Sequence, residues 1–407
     1  MTKIMAVNSG SSSLKFQLFE MPEGKVLTSG NVERIGLPMG IFGIHVNDKH
    51  VSKEVPVPDH QVAVNLLLDA LVSFGIVKSL DEIKACGHRI VQGGPYFSDS
   101  VKVDEYVVDK VRELIELAPL HNAAHLTCYE AFRKALPNIE HVFVFDTAFH
   151  QTMGPESYMF PVPYEWYSDY KVRRYGAHGT SHKYVAGKTA ELMGKDIKDL
   201  NLITLHLGSG ASITAIKGGK CINTSMGLSP LGGIMMGTRC GDIDPTVVYF
   251  MMKKLGCTPE EMETYLNKKS GMIGVSGVSS DSRDVENAMK EGNERAKLTY
   301  DLYVNRVINV VGGYVMQLGH VDALTFTAGL GEHATLVREM ICKKLEEPLG
   351  IKIDYELNSK CHSEAELSLK SSKVKVYVVP TNEELAIVND TVRILGLESC
   401  TSNSSIK

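Results

Sequence analysis

Residues 4–20 read IMAVNSGSSSLKFQLFE, and this stretch decides the fold. A short apolar run at 4–7 enters a turn of small residues at 8–13, after which apolar and polar residues alternate. This pattern predicts a strand, a tight turn and a second strand. The serine hydroxyls and backbone N–H groups of such a turn, with Lys15 at its exit, suit a polyphosphate. A surface hairpin rich in turn-forming residues would have the same composition.

A second stretch repeats this pattern near the middle of the chain. Residues 202–217 read LITLHLGSGASITAIK, again an apolar run, a turn of small residues and an alternating segment. The first turn is not a Walker A loop, because GK[ST] is absent and a strand follows where a helix would be required. Two such hairpins predict a duplicated fold, with one nucleotide held at a cleft to which each half brings one turn.

Composition limits the classes of function. A chain of 407 residues with 43% hydrophobic residues predicts two or three domains with full cores. A net charge of -5 and a pI near 6.3 give no basic footprint for nucleic acid or an anionic membrane. The eight cysteines form no CxxC pair, and the first apolar run is too short for a signal peptide. We therefore expect a cytoplasmic protein with free thiols and no membrane or nucleic-acid partner.

Four charged or titratable positions stand out along the chain. Arg89 precedes a double glycine in GHRIVQGG and is either a solvated charge or an anion ligand. Asp146 ends the buried strand HVFVFD, where open α/β sheets bind ligands, although a turn or helix cap would also explain it. His178 belongs to the glycine-flanked stretch YGAHGTSH, and Arg239 lies between two glycines in GTRCG.

The remaining pattern alternates helices with strands. Helices are predicted at 61–74, 109–117, 125–136, 183–193 and 295–318, and a strand at 323–327 leads into the glycine-rich AGLGEHA. Two helices have the capping-box spacing S/T-x-x-E, at Thr258 with Glu261 and at Thr381 with Glu384. The second box leaves Glu383 free to face a ligand. The Ser/Thr-rich tail from residue 398 is predicted to be disordered.

Eleven ordered motifs together resemble the acetate kinase family, a branch of the acetate and sugar kinase, Hsp70 and actin superfamily. They are NSGSSSLK, GHRIVQGG, APLHN, FDTAFHQT, RRYGAHGTSHKYV, HLGSGASI, TSMGLSPL, GTRCGDIDP, NKKSGMIGVSG, FTAGLGE and PTNEE, and they span nearly the whole chain. The resemblance implies an α/β fold with a duplicated βββαβαβα core (actin-like ATPase, ribonuclease H-like) and an interdomain active-site cleft. It implies a first domain at 1–150 plus 384–407, a second at 151–383, and a homodimer. It also implies reversible transfer of the ATP γ-phosphoryl to acetate, giving ADP and acetyl phosphate, with Mg²⁺ or with Mn²⁺ as a substitute.

The resemblance also implies roles for single residues. It assigns Asn8 and Glu383 to the metal, and Asp146, His178 and Arg239 to catalysis. The acyl substrate is assigned to Arg89, Val91, Leu120, Ala177 and Pro230. The nucleotide is assigned to Ser11, Ser13, Lys15, His206, Leu207, Gly208, Ser209, Gly210, Asp281, Ser282, Arg283, Gly329, Leu330, Gly331, Glu332 and His333.

Several positions depart from the usual family pattern, and three readings therefore stay open. Gln92, Ser209, Gly232 and His333 replace a histidine, an asparagine, a glutamate and an asparagine, and Ala177 replaces a phenylalanine beside the predicted catalytic histidine. The first reading is an acetate kinase, and the second is a kinase of propionate or another short-chain acid. The third is a nucleotide-dependent binding or regulatory protein, against which the retained charged positions speak. Within the kinase readings, direct transfer is favoured over a phosphoenzyme on Glu383.

Overall fold

The computed structural model describes residues 1–47, 49–119 and 121–397, which form two compact units. Unit 1 comprises Met1–Ala148 together with the chain from Asn382 onward, and unit 2 comprises Phe149–Thr381. The tail from residue 398, for which the sequence predicts disorder, lies outside the described residues. Each unit is built on one sheet with helices on both faces.

The strands of unit 1 are β1 (Thr2–Ser9), β2 (Ser13–Met21), β3 (Lys25–Glu33), β4 (Gly40–Val46), β5 (Lys49–Val55), β6 (Ile83–Ile90), β7 (Val101–Lys102) and β8 (Glu140–Phe145). Those of unit 2 are β9 (Asn201–Leu207), β10 (Ala211–Lys217), β11 (Lys220–Thr224), β12 (Ala323–Thr327), β13 (Ala365–Glu366) and β14 (Lys375–Val378).

The helices are α1 (His60–Ser73), α2 (Glu105–Glu113), α3 (Asn122–Ala135), α4 (Pro155–Tyr158), α5 (Tyr164–Tyr170), α6 (Gly179–Met193), α7 (Pro245–Leu255), α8 (Pro259–Lys268), α9 (Gly271–Ser276), α10 (Ser282–Lys290), α11 (Glu294–Leu318), α12 (Ala328–His333), α13 (Thr335–Leu349), α14 (Tyr355–Lys360) and α15 (Glu383–Leu395). Short 3₁₀ helices occur at Leu80–Glu82, Leu114–Glu116, Ala148–Thr152 and Ile197–Asp199. Within the described chain, no helix combines the length and the apolar character that crossing a bilayer requires.

Both units contain the same five-strand core. In unit 1 the central order is β3-β2-β1-β6-β8, and in unit 2 it is β11-β10-β9-β12-β14. The first three strands of each set are antiparallel, and the last two run parallel to the central β1 or β9. The predicted hairpins form β1–β2, with Asn8 opposite Lys15, and β9–β10, with Leu207 opposite Ala211. Each hairpin turn therefore lies at the edge where the parallel strands end, which is where such sheets bind ligands.

Burial on both faces explains the continuous apolar runs of the central strands. In unit 1, α1 and α3 pack on one face of the sheet through a cluster that includes Leu67 and Phe132, and α15 covers the other face through Ile387 and Val388. In unit 2, α11 and α13 cover one face and α6 covers the other. These apolar cores fix the sheet edges at which the polar side chains project.

Some predicted helix ends differ from those in the structure. The helices predicted at 109–117 and 183–193 begin four residues earlier, at Glu105 and Gly179, and the former ends at Glu113. The capping box of Thr258 and Glu261 is confirmed. The box predicted at Thr381 is wrong, because Asn382 caps α15 by accepting a hydrogen bond from the N–H of Leu385.

Candidate active site

The polar site of unit 1 is the Arg89 cluster, which we define as Asn8, Arg89, Asp146 and Glu383. Arg89 lies near the end of β6, and Asp146 directly follows the neighbouring parallel strand β8. The Arg89 guanidinium donates to both Asp146 carboxylate oxygens, with Nε at 3.1 Å from each and Nη2 at 2.6 Å from Oδ2. Its Nη1 donates to Asn8 Oδ1 at 3.2 Å. The C-terminal ends of β6 and β8 and the first hairpin thus meet at the Arg89 guanidinium.

Charge interactions in this cluster are strong. Burial opposes the charge of Arg89, but Asp146 outweighs it and raises the pKa of the guanidinium. Burial raises the pKa of Glu383 to about 7; Arg89 lowers it, and the negative charge of Asp146 adds to the rise. The cluster therefore holds more carboxylates than Arg89 alone can neutralise, and an added cation would favour the ionised form of Glu383.

The first hairpin turn is closed by a backbone hydrogen bond and is also bonded to a side chain of α1. The N–H of Gly10 donates to the carbonyl of Ser13 at 2.7 Å, and His60 at the start of α1 donates from Nε2 to the carbonyl of Gly10 at 2.8 Å. Ser11 and Lys15 are exposed, and Ser13 is half-buried. The turn therefore offers hydroxyls and an ammonium group on a fixed backbone.

The stretch after β6 is fixed by buried side chains of α3. The N–H of Val91 donates to His125 Nδ1 at 3.3 Å. Asn122 accepts from the N–H of Gln92 and donates to its carbonyl, while the Gln92 side chain accepts from the N–H of Gly94. Gln92, a departure from the family pattern, therefore has a structural role in this turn. Leu120, predicted to line the acyl pocket, lies outside the described residues.

The polar site of unit 2 is the His178–Arg239 cluster, which we define as His178, His206, Gly210 and Arg239. His178 precedes α6 in a left-handed conformation with a φ of 58°, and its ring stacks on that of His206 at 4.0 Å between centroids. A β-carbon placed on Gly210 would lie 3.2 Å from Arg239 Nη1 and 3.6 Å from His178 Nε2. The second hairpin turn thus passes close beside both side chains, and a larger residue at 210 would have to displace the end of the Arg239 side chain.

Arg239 differs from Arg89 in its electrostatic surroundings. Its Nη1 donates to the carbonyl of Pro230 at 3.1 Å, but among the described residues no carboxylate pairs with it. Burial lowers its pKa. A partly buried guanidinium without a counter-ion is a ready site for a phosphoryl or carboxylate group.

The predicted nucleotide residues of unit 2 surround the ends of β9 and β12. The second hairpin turn bonds to the GTRCG stretch, with the N–H of Gly237 donating to the carbonyl of Ser209 at 3.2 Å. Asp281 caps α10 and pairs with the exposed Arg283, which leaves Ser282 as the first helical residue. The remaining predicted residues, Gly329, Leu330, Gly331, Glu332 and His333, form most of α12. Glu332 accepts hydrogen bonds from the N–H groups of Ala328 and Thr381, so its carboxylate has a structural role.

Comparison with known proteins decides the family. The model of the acetokinase family matches residues 3–389. The chain belongs to the acetokinase family. It is 51% identical to the acetate kinase of Geobacillus sp. (strain WCH70), covering 98% of this chain and all of the relative. The crystal structure of Porphyromonas gingivalis acetate kinase superimposes with a TM-score of 0.94 at 46% identity, covering 97% of this chain and all of the other.

A propionate kinase is also similar to this acetokinase-family chain. The enzyme from Francisella tularensis superimposes with a TM-score of 0.90 at 39% identity, covering 96% of this chain and 99% of the other. These superpositions, together with the repeated five-strand core, confirm the predicted two-domain α/β fold with its duplicated βββαβαβα pattern. The two units hold the predicted site residues in two sets, Val91 with the Arg89 cluster in unit 1, and Ala177 and Pro230 with the His178–Arg239 cluster in unit 2.

Sequence reasoning missed the buried polar side chains behind His178. Ser212 and His182 connect it to Thr204, and Ser181 connects His206 to Thr381. The signal was present in the alternation of β9 and β10, where Thr204 and Ser212 occupy inward positions that apolar residues normally fill.

Sequence reasoning also missed a buried group of Cys86, His88 and His141, whose potential metal-ligand atoms lie within 4.8 Å of one another. Cysteine spacing could not indicate this group, because His141 comes from a different strand. The two histidines already hydrogen-bond each other at 2.9 Å, and aromatic rings of Tyr129 and Phe143 pack around His88.

Proposed function

We propose that this acetokinase-family protein catalyses the reversible transfer of the γ-phosphoryl group of ATP to acetate, giving ADP and acetyl phosphate, by one in-line step. The observation that carries the proposal is the unequal pairing of two arginines. Arg89 is already oriented by Asp146, whereas Arg239 has no carboxylate partner among the described residues. Support also comes from the relatives named acetate kinase over nearly the whole chain.

The acceptor needs no general base. Acetate has a pKa near those of Asp and Glu, so at pH 7 it is already ionised. Catalysis then consists of positioning and of neutralising the charge that builds up on the transferred phosphoryl group. In this proposal Arg89 binds the acyl carboxylate with its planar fork, Asp146 orients Arg89, and Arg239 and His178 donate to the phosphoryl oxygens.

The nucleotide is assigned to the two hairpin turns and to the ends of β9 and β12. Ser11, Ser13 and Lys15 would contact its phosphates, while the turn after Leu207, together with α12 and the Asp281–Arg283 stretch, would hold the remainder.

The Arg89 cluster also fits Mg²⁺ or Mn²⁺. Asn8, Asp146 and Glu383 offer amide and carboxylate oxygens, which are the ligands that these ions prefer. Burial, with a smaller contribution from the charge of Asp146, raises the pKa of Glu383 to about 7, and a bound cation would favour its ionised form. When bound, the ion would neutralise phosphate charge. Asn8 and Glu383 are the residues that we expect to hold it.

The identity of the acid is tested by a hydroxamate assay for acyl phosphate formation with acetate, propionate, butyrate and formate. The expected result is the highest kcat/KM with acetate. Higher kcat/KM with propionate would support the second candidate, which the similarity to the Francisella tularensis propionate kinase favours. Turnover with none of the acids would overturn the proposal and favour a binding or regulatory role.

Ala177 is a weaker guide to acid selectivity than its sequence position suggests. Its side chain is 3% exposed and packs in the apolar core of unit 2 with Met226 and Met236. A phenylalanine there would displace core side chains. The ratio of kcat/KM values in the unaltered protein therefore decides between acetate and propionate.

Stereochemistry distinguishes the two routes of transfer. One in-line step inverts a chiral γ-phosphoryl group, and two steps through a phosphoenzyme on Glu383 retain its configuration. We expect inversion.

The protein is further proposed to work as a homodimer in the cytoplasm. Helix α7 has no buried residue and exposes Val247, Tyr249, Phe250 and Leu255. An apolar surface of this kind suits a self-complementary contact. Light scattering should give twice the chain mass, and Phe250→Glu should shift it toward the monomer. The free thiols of the described cysteines agree with a reducing compartment.

A further inference from the structure

A chain of three hydrogen bonds in unit 2 leads from a buried threonine to His178. Thr204 Oγ1 lies 2.7 Å from His182 Nδ1, His182 Nε2 lies 2.8 Å from Ser212 Oγ, and Ser212 Oγ lies 2.9 Å from His178 Nδ1. Thr204, His182 and Ser212 are all fully buried. Bulk water therefore does not reach these groups, and the protons in this series of hydrogen bonds are expected to be arranged so that every donor has an acceptor.

Counting hydrogen-bond donors shows which atom donates in each of these three bonds. Each hydroxyl carries one hydrogen, and in the described part of the molecule His182 Nδ1 is the one hydrogen-bond partner of the Thr204 hydroxyl. If the bonds ran from His178 toward Thr204, that hydroxyl hydrogen would be buried without an acceptor, at a cost in stability. If they run from Thr204 toward His178, every donor has an acceptor: Thr204 donates to Nδ1 of His182, whose Nε2–H donates to Ser212.

The last bond of the chain then determines the state of His178. Ser212 donates its hydroxyl hydrogen to His178 Nδ1, which must be unprotonated to accept it. We infer that Thr204, His182 and Ser212 fix His178 as a neutral imidazole protonated at Nε2, so that it serves as an uncharged hydrogen-bond donor toward the transferred phosphoryl group. Thr204 and His182 are positioning residues. The inference rests on the role proposed above for His178.

The surroundings of His178 agree with a neutral ring. The parallel ring of His206 is stacked on it, and Arg239 already supplies a positive charge beside Gly210. Among the groups packed around it, His182 is kept neutral because burial holds its pKa well below the usual range, with further lowering by His150 and His206. A cationic His178 would repel Arg239, whereas a neutral donor does not. Arg239 then supplies the positive charge at the phosphoryl group, and His178 supplies an oriented hydrogen bond.

Nitrogen NMR tests the tautomer without reference to activity. The protein is labelled with ¹⁵N-histidine, long-range proton–nitrogen spectra are recorded at pH 7, and the His178 signals are identified from their loss in His178→Gln. The expected result is an unprotonated Nδ1 and a protonated Nε2. A proton on Nδ1, in either the other neutral tautomer or the imidazolium ion, would overturn the inference.

Steady-state kinetics test whether this series of hydrogen bonds contributes to phosphoryl transfer. Thr204→Val removes the hydroxyl that starts the chain, and we expect kcat to fall about 3- to 10-fold with little change in either KM. Thr204→Ser should restore kcat. The matched control is Thr214→Val. Thr214 lies opposite Thr204 in the ladder, is equally buried, and its hydroxyl bonds to Thr224 on the neighbouring strand β11. Equal kcat values for the two valine variants would contradict the positioning role.

Failure of this inference can be distinguished from failure of the proposed function. Loss of activity in His178→Gln, with an unchanged Thr204→Val, would remove the positioning role and keep the function. A fully active His178→Ala, which has no side-chain donor, would overturn the donor role itself. If no acid is phosphorylated by the unaltered protein, the proposed function fails, and the NMR measurement still decides the tautomer.

Discussion

At the scale of single residues, the difference between two arginines organises the candidate chemistry. Asp146 binds Arg89 and fixes its orientation, whereas Arg239, within the part of the chain that the structure describes, bonds only to a carbonyl and a thioether sulfur. We predict that Arg239→Ala lowers kcat by roughly 10²–10³-fold, the scale for losing one preorganised donor, with less change in the KM for ATP. Steady-state kinetics provide the check. Arg112→Ala, at an exposed ion pair, should leave kcat unchanged, and a near-normal kcat in Arg239→Ala would remove its assigned role.

Gly210 gives a second prediction at this scale. Its added β-carbon would lie 3.2 Å from the end of the Arg239 side chain, which is tighter than ordinary contact but yields by moving a flexible group. We therefore predict that Gly210→Ala lowers kcat by about 10-fold or more while changing the melting temperature little, because misplacing a catalytic group by a few tenths of an ångström is costly. Gly187→Ala on α6, where the new methyl meets open space, should keep full kcat. A normal kcat in Gly210→Ala would show that Arg239 can shift away from the added methyl group without loss of catalysis.

At the scale of helices and strands, local patterns predicted what local forces determine. The two hairpins were predictable because alternation of apolar residues and turns of small residues are both short-range signals. The cap of α15 was not, because Thr381 and Glu384 have the spacing of a capping box while Thr381 instead bonds to Ser181, far away in the sequence. The bonds from Thr204 to His178 were hidden for the same reason, since they depend on the pairing of strands and a helix.

The Asn382 cap connects helix stability with the Arg89 cluster. Asn382 accepts from the N–H of Leu385 and fixes the first turn of α15, which carries Glu383. Asn382→Ala should cost about 1 kcal/mol of unfolding free energy and raise the Mg²⁺ concentration needed for half-maximal activity. Asn293→Ala removes an equivalent cap from α11 and is the matched control. Both variants should lose similar stability in urea titrations, but only Asn382→Ala should change the Mg²⁺ requirement. If the two variants required equal Mg²⁺ concentrations, the Asn382 cap would have no role in metal binding.

At the scale of the whole molecule, the duplication was predictable and several strand pairings were not. The repeated hairpin predicted two related halves, and both sheets share the same central strand order. β7 and β13 extend the two sheets in the same way, each as a two-residue antiparallel strand, whereas β4 and β5 extend the sheet of unit 1 beyond the shared order. Strand β5 is exposed along nearly its whole length and carries no buried apolar face, so pairing with the edge strand β4 decides its conformation.

The buried histidines give the whole molecule a predictable dependence of stability on pH. Burial lowers the pKa of His88 and His182, that of His125 to about 3 and that of His141 to about 4, all from an ordinary value near 6.5. Below pH 6.5 the unfolded chain therefore binds more protons than the folded chain, and the unfolding free energy falls as the pH falls. Each histidine contributes at most about 1.4 kcal/mol per pH unit across this window. Glu383 acts in the opposite sense between pH 4.5 and about 7, but it is one group against four.

Urea midpoints at pH 8, 7, 6 and 5 should stay nearly level above 7 and drop between 6 and 5. His141→Gln should flatten that drop, and a midpoint that is independent of pH down to 5 would mean that these rings become protonated without unfolding the protein.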